Sequence, residues 1–260
     1  MKKPIIISIC NQKGGTGKTN VAINLAAYLS YFNKKVLLID LDSQGNATSS
    51  LGEYNHNLTL YEALTQDKKL EDVLKQTREN LWIIPASQDL AGVEIELASK
   101  MGREKKLKQA LEESPDIKKF DFIIMDTPPS LGLLTINSLV GADKVLIPVQ
   151  VEYLAMEGLS QVLKTIDLVK KNLHPKLDIF GTILTMFDKR SKLSFEVWEE
   201  MYKHFSYRIF KTVIPRNVAL AEAPSYGKTI LEYDPNSKGG RSYKRLAKEL
   251  LFYQNYDNGF

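Results

Sequence analysis

The chain has little cysteine, no long apolar run and no linker-like composition among its 260 residues. Its single cysteine, Cys10, excludes an internal disulfide framework and any zinc or iron–sulfur site that takes several cysteines from one chain. No apolar run approaches the roughly 18–20 residues of a membrane-spanning helix. The apolar residues 5–9 are followed too soon by Asn11, Gln12 and Lys13 for the core of a signal peptide. We therefore expect a soluble cytoplasmic protein.

A large excess of one charge is also absent. The 35 basic and 31 acidic side chains leave a net charge of +4 with neutral histidine. A dedicated nucleic-acid-binding domain carries denser positive charge, although this balance permits contact with an acidic surface. Hydrophobic residues make up 43% and charged residues 25% of the chain, close to the average for globular proteins. This composition excludes wholesale disorder.

Short apolar runs rich in β-branched residues alternate with longer stretches of helical spacing. Because the short runs are apolar at nearly every position, they predict strands covered on both faces by helices. The sequence therefore predicts an α/β protein with a doubly wound, mostly parallel sheet. The predicted strands are 5–10, 36–40, 81–85, 122–126, 144–149, 179–186 and 212–214, and the predicted helices are 19–32, 58–64, 92–111, 131–140, 156–173, 193–205 and 239–253.

No linker or internal repeat interrupts this alternation. We therefore predict one domain over residues 1–253. The remaining residues, 254–260, are expected to form a frayed tail.

A glycine-rich segment joins the first predicted strand to the first predicted helix. Its residues are Lys13, Gly14, Gly15, Thr16, Gly17, Lys18, Thr19 and Asn20. The Gly-Lys-Thr ending agrees with the Walker A pattern, but Gln12 replaces the first glycine, so the match is to a variant. Such a turn aims N–H groups inward at the positive end of a helix. The segment predicts a nucleotide site in which Lys18 bridges the β- and γ-phosphates and Thr19 binds Mg²⁺.

Lys13 lies five residues before Lys18, so both side chains cannot easily reach the same phosphates from one side of the loop. One hypothesis is that Lys13 neutralises charge on a nucleotide bound by a neighbouring subunit, as an arginine finger does. A homodimer would then complete the site. The alternative is a solvated lysine at the entrance to the loop.

Three carboxylates lie at the ends of predicted strands, at the sheet edge where open α/β sheets bind ligands. Asp40 ends one strand, and Asp42 lies in the polar turn after it. Asp126 ends another strand, as the Walker B acid does. We expect Asp42 to orient the attacking water and Asp40 and Asp126 to lie on the metal side. The alternative for Asp40 and Asp42 is that they cap the turn.

Four segments, in this order, resemble the deviant Walker A ATPases and most closely the ParA/Soj family of DNA-partitioning ATPases. They are residues 11–19 (NQKGGTGKT), 40–48 (DLDSQGNAT), 126–132 (DTPPSLG) and 214–225, which contains IPRN and EAPS. The resemblance implies an Mg²⁺-dependent ATPase that forms a homodimer on ATP, binds nonspecific DNA as the dimer and is stimulated by a partner of the ParB/Spo0J type. It further implies chromosome or plasmid partition and a cytoplasmic, nucleoid-associated location.

The same resemblance assigns roles to single residues. Lys13 matches the signature lysine that reaches across the dimer, and Asp42 matches the switch carboxylate that prepares water. Pro215 and Asn217 match a loop on the adenine side of the nucleotide.

The sequence departs from the family pattern at three positions near the nucleotide. Thr16 stands where Val is usual, Asn20 where Thr is common, and Ser43 where Pro usually follows the switch carboxylate. None of these changes removes a charged group. Loss of the proline is expected to loosen the Asp42 loop and to change the basal rate.

Basic side chains late in the chain are candidates for DNA contact, and they are Lys189, Arg190, Lys192 and Arg216. Arg190 matches a basic position that Soj-like proteins use for DNA, whereas Ala219 stands at the second such position. Affinity that depends on phosphate contacts falls steeply as salt rises. The ordinary alternative is that these charges lie on solvated faces.

Other functions within the superfamily stay open. A MinD-like positioning ATPase would bind a membrane surface through a terminal amphipathic helix, for which residues 243–253 are the candidate. We expect Leu246, Leu250 and Leu251 to pack on the sheet instead, and we predict no stable membrane association. A ParA-like protein that positions a protein cargo on the nucleoid and a biosynthetic ligase are further alternatives. The single cysteine excludes a nitrogenase iron protein.

Overall fold

The computed structural model describes residues 3–54, 56–152 and 155–257. The strands are β1 (Ile5–Ile9), β2 (Val36–Asp40), β3 (Lys75–Arg78), β4 (Leu81–Ile84), β5 (Phe122–Asp126), β6 (Lys144–Gln150) and β7 (Asp178–Thr185). The helices are α1 (Lys18–Tyr31), α2 (Asn46–Ser50), α3 (Leu60–Thr65), α4 (Leu70–Val73), α5 (Val93–Glu96), α6 (Lys106–Glu113), α7 (Leu133–Gly141), α8 (Ala155–Asn172), α9 (Lys192–His204), α10 (Val218–Glu222), α11 (Ile230–Tyr233) and α12 (Lys238–Asp257). Short 3₁₀-helices occur at Gln88–Gly92, Arg103–Lys105, Pro115–Lys119 and Ala223–Tyr226.

These strands form one seven-stranded sheet in the order β3-β4-β2-β5-β1-β6-β7. All neighbouring pairs are parallel except the pair of β3 and β4 at one edge. Because successive side chains of a strand point to opposite faces, alternate residues enter two separate cores. Ile7 packs in the core that contains side chains of α1 and α12, and Ile6 packs in the core that contains side chains of α7 and α8. The predicted doubly wound α/β fold is confirmed.

Two of the predicted strands differ from the sheet that forms. The prediction missed β3, whose polar sequence Lys-Gln-Thr-Arg pairs antiparallel with β4 at the sheet edge. The prediction of a strand at 212–214 was wrong. That segment forms isolated hydrogen bonds and not a strand ladder. The N–H of Ile214 donates to the carbonyl of Leu184 (2.8 Å), and the N–H of Thr212 donates to the Glu249 carboxylate (2.9 Å). β3 was missed because an edge strand can be polar at most positions, so its sequence does not alternate between apolar and polar residues.

The helix predicted over 92–111 is also wrong as a single element. α5 ends at Glu96, and α6 begins only at Lys106. Gly102 lies between them in the left-handed region with φ +71°. The Asn137 side chain from α7 then accepts the N–H of Leu107 (3.0 Å) and donates to the carbonyl of Arg103 (2.9 Å). The break is therefore held by a tertiary contact that periodicity does not reveal.

The C-terminal helix extends beyond the boundary expected from the sequence. α12 continues through Asp257, and Gln254 is buried, so residues 254–257 are not a frayed tail. Asp257 pairs with Lys144 (2.8 Å) and Arg208 (2.8 Å), and the hydrogen bond from Arg208 is the main reason that its pKa falls to about 2. Residues 258–260 lie outside the described residues. One domain over residues 1–253 remains a prediction.

The face of α12 that was considered for membrane binding is turned inward. Leu246 and Leu250 are fully buried in the core shared with α1, and Leu251 packs against that core while half-buried. These leucines were expected to pack on the sheet, and they lie in or against the core that contains side chains of β1, β2 and β5. Among the described residues, none of the helices combines the length and the apolar character needed to cross a membrane.

Candidate nucleotide-binding site

The loop between β1 and α1 bends through two left-handed glycines. Gly15 has φ +75° and Gly17 has φ +85°. A Cβ atom at Gly15 would meet nothing within 4 Å, so glycine is required there for its conformation and not for space. α1 begins at Lys18, directly after Gly17. Left-handed residues within such a turn align successive N–H groups into an anion-binding concavity.

The backbone N–H groups of this loop have no partner among the residues that the structure describes. None of the N–H groups of residues 14–20 donates a hydrogen bond to another described residue, whereas the next one, from Val21, donates to Gly17 (2.8 Å). The helix N-terminus adds partial positive charge behind these groups. Together they form a binding surface for a polyphosphate.

Lys18 is buried within this loop, with 7% of its surface exposed. Its Nζ donates to the carbonyl of Lys13 (3.2 Å). Burial lowers the pKa of Lys18, and the nearby carboxylates of Asp126 and Asp42 oppose that effect. A buried ammonium group held by one carbonyl is suited to an anionic ligand, because desolvation leaves it short of partners.

Asp126 ends β5 beside the loop, and both of its carboxylate oxygens are buried without a hydrogen-bond partner in the described part of the chain. Burial raises its pKa well above the usual range, and repulsion from Asp40 adds to the shift. The Thr19 side chain and the Lys18 ammonium act in the opposite direction. Oxygen ligands of this kind are those that Mg²⁺ takes, so Asp126 and Thr19 fit a divalent cation shared with phosphate.

Asp40 faces Asp126 across the β2–β5 pair, but its carboxylate accepts three hydrogen bonds from the protein. Its Oδ2 accepts the Thr48 hydroxyl (2.7 Å) and N–H (2.9 Å), and its Oδ1 accepts the N–H of Asp42 (3.1 Å). Burial raises its pKa to about 6. These protein donors compete with a cation for the same oxygens, and the metal-side role of Asp40 remains a prediction. Asp40 holds α2 and the Asp42 turn in place.

Asp42 is 7% exposed and shapes the turn that follows β2. Its Oδ1 accepts the N–H of Gln44 (3.0 Å), so it does cap the turn, as the alternative interpretation had it. Its Oδ2 accepts no hydrogen bond from the described residues and is available to a water molecule. Capping and water binding are therefore compatible in one carboxylate.

Lys13 forms an ion pair with Glu152 of its own chain. Its side chain is 43% exposed, and its N–H donates to Asn11 Oδ1 (3.0 Å). The Lys13 side chain thus lies at the surface of the site, where it contacts Glu152 of the segment after β6. Its predicted contact with a second subunit remains a prediction.

The segment around α10 contacts the first turn of α1. Asn20 Nδ2 donates to the carbonyl of Leu220 (3.0 Å). Pro215 forms an isolated bridge with Phe187, and Asn217 Oδ1 is buried without a partner among the residues described. Asn20 therefore links two elements through its side chain, and Asn217 keeps an oxygen available near them. The adenine-side role of Pro215 and Asn217 remains a prediction.

The basic candidates lie on one exposed surface after β7. Arg190 is paired with Asp188 through Nε (3.2 Å) and through its terminal nitrogen (3.1 Å), and Lys192 is paired with Glu196 (3.3 Å). Both basic side chains are 91% exposed. The N–H of Arg216 donates to the carbonyl of Phe187 (3.2 Å), which brings Arg216 to the same loop. Lys189 is exposed beside them, and DNA contact by these residues remains a prediction.

Sequence reasoning missed the residues that support the site from a distance in the chain. Thr48 lies 8 residues after Asp40, and Glu152 lies 139 residues after Lys13. Neither residue stands in a spacing that implies its partner. The local indication was the pair Asp40 and Asp42, because two carboxylates at the end of a buried strand need hydrogen-bond donors nearby.

A mostly parallel sheet whose first strand leads into a helix through a glycine-rich loop that ends in Gly17, Lys18 and Thr19 is typical of P-loop nucleotide-binding proteins. Residues 4–179 match the AAA domain family. The chain is 53% identical over 248 residues to the sporulation initiation inhibitor protein Soj of Bacillus subtilis, covering 94% of this chain and 97% of that protein. It is 50% identical over 249 residues to the chromosome partitioning protein ParA of Myxococcus xanthus, covering 95% of this chain and 87% of that protein. The chain therefore belongs to the ParA/Soj family.

Solved structures with the same fold include a cobyrinic acid a,c-diamide synthase from Mycobacterium smegmatis with a bound ATP analogue and magnesium. It superposes with a TM-score of 0.84 at 34% identity and covers 96% of each chain. One fold thus serves differently named proteins, and the function of this chain must be argued from its own site.

Proposed function

We propose that this protein is an Mg²⁺-dependent ATPase. The carrying observation is the row of N–H groups at residues 14–20, which surrounds the buried Lys18 and lies next to the Asp126 carboxylate; neither these N–H groups nor that carboxylate has a hydrogen-bond partner in the described part of the chain. In this proposal Lys18 and these N–H groups bind the phosphates, Thr19 and Asp126 hold Mg²⁺, and Asn217 contacts the base. The ATP analogue and magnesium bound to the Mycobacterium smegmatis protein support the same pair of ligands.

Catalysis by this site would consist of positioning and charge stabilisation, which dominate phosphoryl transfer. When bound, Mg²⁺ supplies positive charge at the β- and γ-phosphate oxygens. Lys18 contributes a second positive charge from within the loop. Asp42 orients the attacking water through Oδ2, while its Oδ1 stays on the N–H of Gln44.

We further propose that ATP brings two copies together, that the dimer binds nonspecific DNA, and that a ParB/Spo0J-type partner stimulates hydrolysis to reset it. The names of the relatives support a role in chromosome partition. The exposed Lys13 supports contact with a second copy, and the exposed surface of Lys189, Arg190, Lys192 and Arg216 supports contact with phosphate. A plasmid or a protein assembly is the alternative cargo, and the expected location is the nucleoid in the cytoplasm.

The primary test is Lys18→Ala, with ATP binding and hydrolysis as the readouts. We expect loss of both, because the variant removes the buried cation at the phosphates. Lys118→Ala is the matched control, since Lys118 is exposed on the 3₁₀-helix Pro115–Lys119 far along the chain from the loop. Wild-type hydrolysis by Lys18→Ala would refute the proposed function.

Dimerisation is tested separately with Asp42→Ala and size-exclusion chromatography. The variant should bind ATP, fail to activate water and accumulate as an ATP-bound dimer. A variant that binds ATP but stays monomeric would contradict the proposed switch.

DNA binding is tested by truncating the exposed guanidinium group of Arg190. Arg190→Ala should weaken binding to nonspecific duplex DNA and reduce the slope of log affinity against log salt by about 1. Lys171→Ala at the end of α8 is the control with the same loss of charge. An unchanged salt slope in Arg190→Ala would remove that residue from the interface.

The membrane alternative has a direct experiment. Leu246 and Leu250 of α12 are in the core, so a MinD-like mode would need the helix to leave the protein. Sedimentation with anionic liposomes in the presence of ATP should leave the protein in the supernatant. Co-sedimentation that depends on ATP would favour the MinD-like function.

A further inference from the structure

The last residue of β7, Thr185, contacts the phosphate loop through its side chain. Its hydroxyl donates to the carbonyl oxygen of Thr16 at 2.8 Å. Thr185 is 2% exposed, and 169 positions separate the two residues in the chain. No motif of the sequence includes Thr185, and neither the metal nor the water roles assigned above use it.

This hydrogen bond constrains an N–H group of the site. In a trans peptide the carbonyl of one residue and the N–H of the next lie in one plane and point in opposite directions. The carbonyl of Thr16 is directed at Thr185, so the N–H of Gly17 is directed away from Thr185. That N–H belongs to the row of groups that donate to none of the described residues. The Thr185 hydroxyl therefore sets the direction of one phosphate-binding donor.

Free rotation of that peptide would otherwise be easy, because the loop is rich in glycine. Gly15 and Gly17 flank Thr16, and both adopt left-handed conformations. Glycine has access to many backbone conformations, so such a loop needs external contacts to keep one of them. The Thr16 hydroxyl supplies one contact, a donation to the carbonyl of Lys13 (3.3 Å). Thr185 supplies the one that acts on the peptide itself.

Thr185 is itself held rigidly at the end of its strand. Its carbonyl accepts the N–H of Val151 (3.1 Å) from the neighbouring chain segment. The next residue, Met186, has φ +53°, a left-handed conformation that is strained for a side chain of this size. Phe187 then donates its N–H to the carbonyl of Ile214 (3.0 Å). Contacts on both sides of Met186 maintain the strained turn and so fix where Thr185 ends β7.

We propose that Thr185 is a positioning residue for nucleotide binding, which orients the N–H of Gly17 towards the phosphates by holding the carbonyl of Thr16. The proposal rests on the proposed function, because it requires a phosphate ligand at residues 14–20. It goes beyond that function by assigning a role to a side chain outside the glycine-rich loop. It also predicts that the hydroxyl matters, and not only the shape of the residue.

The test compares Thr185→Val with Thr185→Ser. The valine keeps the branched shape and removes the donor, and the serine keeps the donor. We expect Thr185→Val to weaken the affinity for Mg-ADP and Mg-ATP about 10-fold, the order of one hydrogen bond to a charged group. Thr185→Ser should stay within about 3-fold of the wild type, since its hydroxyl reaches the same carbonyl.

The chain offers a matched control on the same strand. Thr182 is fully buried, and its hydroxyl has no hydrogen-bond partner in the described structure. Thr182→Val makes the same chemical change without removing a contact to the loop. Its nucleotide affinity should equal that of the wild type.

Isothermal titration calorimetry with Mg-ADP gives the affinities, and steady-state hydrolysis gives kcat and KM for ATP. A positioning role in ground-state binding raises KM more than it lowers kcat. A merely structural role would lower the unfolding temperature of the free protein and leave the affinity unchanged. Wild-type affinity in folded Thr185→Val would overturn the proposal.

If Thr185→Val does not fold, Thr185→Ala and Thr185→Ser decide the question, because they differ in the hydroxyl and both reduce the size of the side chain. Equal affinities in that pair would overturn the proposal, and a weaker alanine variant would support it. The wild type and Lys18→Ala are measured in the same series. A wild type without affinity for nucleotide would refute the proposed function, whereas equal binding by the wild type and Thr185→Val refutes only the role of Thr185.

Discussion

Asp40 and Asp126 lie side by side at the ends of β2 and β5, yet their surroundings are opposite. Both carboxylates are fully buried. Asp40 accepts three hydrogen bonds from Asp42 and Thr48, whereas Asp126 accepts none from the described residues. Burial alone therefore does not distinguish the two acids. The number of hydrogen bonds that each carboxylate accepts from the described residues does distinguish them.

The pKa values of both carboxylates are raised, chiefly by burial. The hydrogen bonds from Thr48 and Asp42 oppose the rise at Asp40, and repulsion from Asp40 adds to the rise at Asp126. An unpartnered buried carboxylate is costly to ionise, and a bound cation offsets that cost. We infer that the protein uses hydrogen-bond donors to hold Asp40 in place and leaves the Asp126 carboxylate available to a cation.

The largest effect that separates the pair is expected from Asp126→Asn. The variant removes the charge that would hold Mg²⁺, so ATP hydrolysis should fall by about 100-fold or more. The unfolding temperature of the free protein should stay the same or rise, because the buried charge near Asp40 is gone. Hydrolysis assays and thermal unfolding without nucleotide give the two readouts.

Asp40→Asn should differ from Asp126→Asn in the stability of the free protein. An amide at this position turns one donor group towards the Thr48 or Asp42 donors, a cost of about 1–3 kcal/mol that Asp126→Asn does not carry. The free energy of unfolding of Asp40→Asn should therefore lie below that of Asp126→Asn, since removal of a buried carboxylate is common to both variants. Chemical denaturation measures the change. Asp121→Asn is the control, because Asp121 is exposed and its carboxylate accepts a single hydrogen bond from the described residues, the N–H of Lys35 (2.8 Å).

Equal effects of Asp126→Asn and Asp40→Asn on stability would contradict the distinction between the two carboxylates. If Asp126→Asn destabilised the free protein as much as Asp40→Asn does, Asp126 would be a structural acid. If Asp40→Asn kept the stability of Asp126→Asn, the three hydrogen bonds to Asp40 would not support the Asp42 turn.

A third carboxylate, Asp257, extends the comparison to a residue with charged partners, and its replacement is expected to have the smallest effect. Its partners Arg208 and Lys144 lower its pKa from the ordinary 3.8 to about 2, the opposite direction to Asp40 and Asp126. A lowered pKa in the folded state stabilises the protein above the unfolded pKa, and the contribution disappears as pH falls through the folded pKa. Asp257→Asn should therefore cost about 1 kcal/mol at pH 7.

The difference between the wild type and Asp257→Asn should shrink between about pH 4 and pH 2, as the carboxylate takes up its proton. Denaturation at several pH values checks this. Asp178→Asn is the control, since Asp178 is 60% exposed and lies 3.9 Å from Lys144. A difference that grew as the pH fell would show that Asp257 is not stabilised by its cations.

The fold was predictable where a strand is buried on both faces. β2 and β5 are apolar up to their final aspartates and form with the bounds expected, and β1 differs from its prediction by one residue. β3 was missed because its polar residues lie at an edge, and α5 and α6 were merged because helical spacing continued through Gly102. Periodicity reports burial, and these segments are determined by contacts that periodicity does not encode.

The candidate site divides in the same way. The glycine-rich loop, Asp42 and Asp126 follow from local sequence, because each is read from a strand, a turn and the residues next to them. The hydrogen bonds of Asp40 did not follow, since its three donors come from Thr48 and Asp42 in their folded positions. Thr185 was invisible for the same reason, because its partner Thr16 is 169 positions away.

The parallel sheet, the glycine-rich loop and the carboxylates at the ends of the strands could be predicted from the sequence, because burial and turn chemistry depend on local patterns. The folded structure was needed to show that Asp40 accepts three hydrogen bonds, that Asp126 accepts none from the described residues, and that the Thr185 hydroxyl contacts the loop. Hydrogen bonds between residues far apart in the chain depend on three-dimensional position, and that position exists only after the sheet has brought its strands together.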